Sequence, residues 1–281
     1  IGLRRWTLRL VFLAAVVLLA FGVLINHQAP VLIGNPPVDD IDEPDTGFAA
    51  APSDLADAPT IAVGDGDLTR GFSMAAGTVA ITFDDGPHPV WTPAVLDELD
   101  RLGVKATFFV VGDQVRQYPD VVDEIIDRGH ELGNHTHFHY RMGDLDRAQL
   151  ERQLDLATLA MIDATGTSSR LYRPPYSGAI RNLDEAERLA GERALEHGYV
   201  LVATDLAPPD YNLNLSVDTR LAEAIPPVGA GAVITLHDGG GADRSNTVDL
   251  LDPLVSSLRE RGYEFALVGE EVARATGIDP I

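Results

Sequence analysis

From Thr78 onward, short apolar runs alternate with stretches whose apolar residues recur at helical spacing, and this alternation restricts the chain more than any other feature. The strand candidates are residues 79–84, 106–111, 130–134, 170–173, 199–204, 232–237 and 263–268. The helices between them carry start and stop signals. Thr92 is expected to cap a helix with Pro93 at its first position, running to Leu102 and stopped by Gly103. Pro119 opens a helix over residues 120–128, where Val121, Val122, Ile125 and Ile126 share one face. Further helices are expected over 147–165, 182–197, 216–225 and 247–261. Seven such units predict an α/β fold with parallel strands under helices. A closed barrel and an open sheet both gather functional groups at the C-terminal strand ends, and the barrel is the preferred reading.

Ahead of this region the chain reads differently. Leu10 to Ile25 is sixteen residues without a charge or a strongly polar side chain. As a helix it spans about 24 Å, slightly short of a hydrocarbon core. Arg4, Arg5 and Arg9 precede it and Trp6 sits where an interface aromatic would. Positive charge stays inside, so residues 1–25 are expected to be a single-pass transmembrane anchor in the cell membrane, with the remainder extracytoplasmic. A cleaved signal peptide is the alternative, disfavoured because the apolar core is long and His27 stands where cleavage needs a small residue. Residues 26–77 are rich in Pro, Asp, Ala and Gly, with Asp39-Asp40-Ile41-Asp42-Glu43-Pro44 in their midst. Too little apolar surface is present to offset the entropy of ordering, so this stretch is expected to be a spacer. Residues 78–281 are then the folded domain.

The net charge of −22 divides as +3 over residues 1–25, −8 over 26–78 and −17 over 79–281. Phosphate backbones are repelled by such a surface, which argues against nucleic acid as a partner. There is no cysteine, so any metal site must use His, Asp or Glu.

Four short motifs sit at predicted strand ends. The first is Thr82-Phe83-Asp84-Asp85-Gly86-Pro87, where two carboxylates arrive side by side and repel each other unless a cation or guanidinium neutralises them. Read alone, Asp-Gly-Pro is equally good turn chemistry. After the third strand comes His135-Thr136-His137-Phe138-His139. His135 and His139 with one Asp would make a set of two neutral N ligands and one anionic O ligand, as catalytic zinc sites use, whereas a solvated polar loop is the plain alternative. His137 is expected to point away. After the fourth strand, Arg173-Pro174-Pro175-Tyr176 has a backbone stiffened by two prolines, suited to holding an Arg against a carboxylate or to a surface turn. The sixth strand delivers His237-Asp238 into Gly239-Gly240-Gly241, and a His opening into a flexible loop suits a proton donor.

Taken in order, these motifs resemble the NodB-type polysaccharide deacetylases, carbohydrate esterase family four, over about residues 78–268. The resemblance implies a distorted (β/α)7 barrel and a divalent metal, most commonly Zn²⁺, with Co²⁺ as a substitute. It implies removal of acetyl groups from N-acetylglucosamine polymers or from acetylated xylan. Carried onto matching positions, Asp84 resembles the general base, and Asp85, His135 and His139 the metal ligands. Arg173 would pair with Asp84, the Tyr176 backbone N–H beside Pro175 would donate to the oxyanion, Leu236 would line the acetyl pocket and His237 would protonate the leaving amine. The run from His237 to Ser245 is similar to a subgroup in which such a domain precedes a membrane glycosyltransferase, which makes that enzyme a candidate neighbour.

One segment departs from the pattern. Where the family shows Asp-x-x-Asp-Trp, this chain has Ala207 at the first Asp, Asp210 at the second and Tyr211 at the Trp. The first Asp is the one expected to tune the catalytic His, so Asp205, two residues earlier, is the candidate substitute. The expected activity is an N-deacetylase of an extracytoplasmic amino-sugar polymer. The alternatives are an O-deacetylase of xylan-type polymers, a catalytically impaired glycan-binding module and an accessory domain to a transferase.

Overall fold

The computed structural model describes residues 57–281. The expected anchor over residues 1–25 and most of the expected spacer lie outside the described residues. Among those described, no helix is long and apolar enough to cross a membrane.

The strands and helices in chain order are β1 (Ile61–Ala62), β2 (Gly71–Phe72), β3 (Thr78–Asp84), α1 (Trp91–Leu102), β4 (Thr107–Val110), α2 (Gly112–Gln117), α3 (Pro119–Asp127) and β5 (Glu131–Asn134). They continue with α4 (Arg147–Thr165), β6 (Leu171–Tyr172), α5 (Glu185–Glu196), β7 (Val200–Val202), α6 (Val217–Ala224), β8 (Ala232–His237), α7 (Ser245–Glu260), β9 (Glu264–Phe265) and α8 (Val268–Thr276). The sheet order is β2-β1-β7-β6-β5-β4-β3-β8, with β9 also pairing β3. β3 to β9 pair in parallel, as the alternation predicts. Beyond β7 the chain reaches β8 through one bridge, Leu206 to Ile234, with the N–H groups of Asp205 and Leu206 donating to the Val233 carbonyl. The two ends of the parallel run therefore meet.

Period-two alternation sorts the side chains of each strand. Val79, Ile81 and Phe83 of β3 join Ile234 and Leu236 of β8 in the layer under α1 and α7, where Phe83 stacks on Phe108 at 4.9 Å. The opposite face holds Ala80, Phe109 and Val233, packed with Val268 and Val272 of α8. Further along that second face come Thr82 and Asp84 of β3 and Thr235 and His237 of β8. An apolar plug thus gives way to polar groups toward the C-terminal strand ends.

Three expectations are revised. Residues 61–72, read as spacer, contribute two short antiparallel strands, and Ile61 and Ala62 are fully buried against β7. An open strand edge recruits them, and composition does not register so short a segment. Thr92 lies inside α1 and does not cap it; the Nδ1 of His88 accepts from the N–H groups of Val90 and Trp91. The Thr92 hydroxyl instead donates to buried Asp238. The last strand is cut to Glu264–Phe265 because the chain enters α8 at Val268.

Candidate active site

The parallel strands converge on a cavity of about 200 Å³ lined by Asp84, Asp85, His135, His139, Arg173 and His237 among others. Asp84, the last residue of β3, is 6 % exposed. Its Oδ1 accepts a 2.7 Å hydrogen bond from Arg173 Nη1. Arg173, 1 % exposed, also donates to the Thr82 hydroxyl and to the Val202 carbonyl, and its guanidinium lies 4.1 Å from the Phe109 ring centre. Burial pulls the guanidinium below its usual value and the Asp84 carboxylate opposes that pull. Arginine stays charged through such shifts, so Arg173 presents a fixed positive charge to the Asp84 carboxyl.

Asp85 turns away from its neighbour. Its Oδ1 lies 3.3 Å from His135 Nε2 and 2.9 Å from His139 Nε2. Adjacent donors of a tetrahedral centre with bonds of about 2.0–2.1 Å sit roughly 3.3 Å apart, so the three groups fit one small divalent cation. The second nitrogen of each imidazole is already engaged. His135 Nδ1 donates to the Arg173 carbonyl at 2.8 Å, and His139 Nδ1 lies 3.0 Å from the Tyr176 hydroxyl. Such outer contacts fix the ring and leave Nε2 for a metal. For Asp85, burial raises the carboxyl, but the charge of His139 and hydrogen bonds from both imidazoles outweigh it and hold the group well below its usual range.

The backbone is bent to reach this arrangement. The non-glycine residues with left-handed φ among those described are Asp85, Thr136, His139 and Tyr176, at 73°, 66°, 56° and 59°. All four lie in the motif loops. Such conformations cost about 1–3 kcal/mol each and persist only where the surroundings impose them. The loop after His135 is imposed by its own bonds, since the Asn134 side chain accepts from Thr136 N–H and the Thr136 hydroxyl accepts from His139 N–H. Gly240 is needed for clearance, because a Cβ there would run into the Asp85 carboxylate. The glycines after His237 thus serve close approach, where the sequence suggested flexibility.

His237 faces the cavity across from Arg173. Its Nδ1 pairs with Asp210 Oδ1 at 2.9 Å and its backbone N–H donates to Asp210 Oδ2 at 2.7 Å. Thr247 donates a third bond to the fully buried Asp210. Burial disfavours the charged imidazole, but the Asp210 carboxylate pushes it up to about 10, with lesser help from Asp85 and Asp84. Asp210 therefore does the tuning that the sequence assigned to Asp205. Asp205 instead accepts from the Thr60 hydroxyl and the Val233 N–H, at the place where the sheet ends meet. Its side chain is spent on architecture.

The remaining expectations divide. Tyr211 and Ala207 line the cavity, and the Tyr211 ring stands edge-on to His237 with centres 6.1 Å apart. Pro174 lines it, whereas Pro175 is buried outside the lining. Leu236 is also outside, because strand alternation turns it into the helix-side core when His237 faces inward. Thr235, together with Thr204, lines the cavity instead. Counting back two residues from His237 along a strand would have found it. His137 points away as expected, buried beside Gly112 and edge-on to Phe138.

Comparisons with known proteins agree with this geometry. Residues 73–195 match the family described as polysaccharide deacetylase. A peptidoglycan-N-acetylglucosamine deacetylase of Bacillus cereus is 35% identical over 194 residues, covering 68% of this chain and 86% of its own. A chitooligosaccharide deacetylase of Sinorhizobium fredii is 35% identical over 201 residues, covering 67% and 88%. Among solved structures, a family 4 acetyl xylan esterase from Clostridium thermocellum in complex with a cobalt ion superposes with a TM-score of 0.61 at 32% identity, covering 72% of this chain and 94% of that one. The chain belongs to the polysaccharide deacetylase family.

Proposed function

We propose that this protein is a metal-dependent deacetylase that hydrolyses N-acetyl groups of an extracytoplasmic amino-sugar polymer, either chitooligosaccharide or the glycan of peptidoglycan. The observation that carries the reading is the pair of adjacent carboxylates with separate partners: Asp84 on Arg173, and Asp85 within reach of two imidazole Nε2 atoms. One carboxylate is left for base chemistry while the other completes a cation site.

Asp85, His135 and His139 would hold a divalent cation, which would supply Lewis acidity to polarise a carbonyl and to lower the pKa of a water toward ~7. The two-His, one-carboxylate donor set suits Zn²⁺, with Co²⁺ as its replacement. Asp84, paired with Arg173, takes the proton from the attacking water. The Tyr176 backbone N–H is the proposed donor to the oxyanion, a contact that typically contributes ~3–4 kcal/mol. His237, charged through Asp210, delivers the proton that the departing amine needs. The distorted (β/α)7 barrel is the reading of the sheet that we adopt, and the bridge between Leu206 and Ile234 supports it.

Acetate release from chitooligosaccharides tests this directly: it should vanish on chelation and return with Zn²⁺ or Co²⁺. A metal-loaded protein that frees no acetate from any N-acetylated glycan is not an N-deacetylase. The likeness to an acetyl xylan esterase favours O-deacetylation as the second reading, and acetylated xylan assayed in parallel separates the two. The run from Leu10 to Ile25 supports tethering of the domain outside the membrane. Recovery of full-length protein in the membrane fraction, protease-accessible from the outer side, tests that. The His237–Ser245 run supports a transferase neighbour, which co-purification tests.

A further inference from the structure

If the acyl carbon of a substrate lies between Asp84 and His237, the group attached to it points down the inward face of β3 and β8. The next inward residues there are not apolar. Thr235 of β8 and Thr204 beyond β7 line the cavity, with fully buried Thr82 of β3 behind them. Their hydroxyl protons are all committed: Thr82 donates to the Ile234 carbonyl, Thr235 to the Thr204 hydroxyl and Thr204 to the Leu206 carbonyl. A hydroxyl has one proton and two lone pairs, so the floor of the cavity keeps acceptor capacity and has no donor to spare. The support of Arg173 does not explain this floor, because only Thr82 receives its guanidinium.

An acetyl methyl brings no donor to such a floor. A hydroxymethyl group in its place brings one O–H at the cost of a single added oxygen atom. We propose that Thr235 and Thr204 form an acyl-recognition site for hydroxylated acyl groups, so that the protein hydrolyses N-glycolyl (hydroxyacetyl) amino sugars at least as well as N-acetyl ones. The inference rests on the deacylase reading above and deepens it. The reaction is the same hydrolysis: a C–O bond forms from water, the amide C–N bond breaks, and the products are glycolate and a free amine that takes its proton from His237. No further reactant is required.

The test is a competition on the zinc-loaded full chain between glucosamine oligomers fully N-acetylated and fully N-glycolylated, with acetate and glycolate measured separately. Glycolate release should equal acetate release or exceed it by up to about 10-fold, the effect of one hydrogen bond. Thr235→Val, which keeps the shape and removes the hydroxyl, should lower the glycolate-to-acetate ratio by about 10-fold. Thr204→Val should move the same ratio the same way. Glycolate release slower than acetate release overturns the proposal, as does a ratio that neither variant changes. Release of neither acid overturns the deacylase reading itself, and this inference with it. The wild-type ratio needs no variant to fold.

Discussion

β5 starts at Glu131 and leads past Asn134 into His135, so one short strand carries a buried ionisable group at each end of the sheet. At the first end, neutral donors meet the carboxylate: the Thr107 hydroxyl and the Gly269 N–H at the start of α8. Burial wins, and the Glu131 carboxyl is pushed up to about 7. At the other end, Asp84 and Asp85 face a guanidinium and two imidazoles beside an open cavity. Among the described residues, left-handed non-glycine residues occur only in the loops at that second end. Burial of a carboxylate does not itself mark chemistry. What separates the two ends is a charged partner, a strained loop and space for a substrate.

The comparison breaks most sharply on Asp84→Asn. Turnover of an N-acetylated oligomer should fall by about 10²–10⁴-fold while bound metal, measured by elemental analysis, is retained. Equal loss of metal would mean the two carboxylates share one task. Asp210→Asn should act more selectively. His237 loses the anion that raises it, so its protonated form disappears at lower pH and the alkaline limb of kcat/KM shifts down. An unmoved limb would remove Asp210 from the acid.

At the opposite end the readout is stability. Glu131 titrates near the ordinary glutamate value of 4.5 when unfolded and is raised to about 7 when folded. Its favourable contribution is therefore fully present below pH ~4.5 and is lost as pH rises through ~7, by on the order of 3 kcal/mol at most. Glu131→Gln should flatten thermal stability across that window and leave the pH profile of activity in place. The smallest effect is expected from Asp205→Asn, which weakens the Thr60 and Val233 contacts by about 1 kcal/mol in chemical denaturation. It should not shift the alkaline limb; a shift would return the tuning role to Asp205.

Much of the site was legible because its residues are specified within short motifs. Asp84, Asp85, His135, His139, Arg173 and His237 follow strand-end signals and meet at one cavity. The errors cluster where a partner comes from elsewhere in the chain. Asp205 and Asp210 are both acidic residues in one loop, and only the approach of β8 shows which reaches His237. Leu236 was carried over from the family resemblance, whereas strand pleat turns its side chain into the helix-side core. Residues 61–72 looked too polar to fold until the edge of β7 offered them a place.

Local sequence determined the alternation of strands and helices from Thr78 to β8, the parallel α/β class and the ligand types, because period, turn chemistry and donor identity are properties of neighbouring residues. Tertiary structure alone decided which acidic residue reaches His237, which strand face looks into the cavity and that threonines floor it. Those outcomes depend on distances between residues far apart in the chain, set by strand order and register.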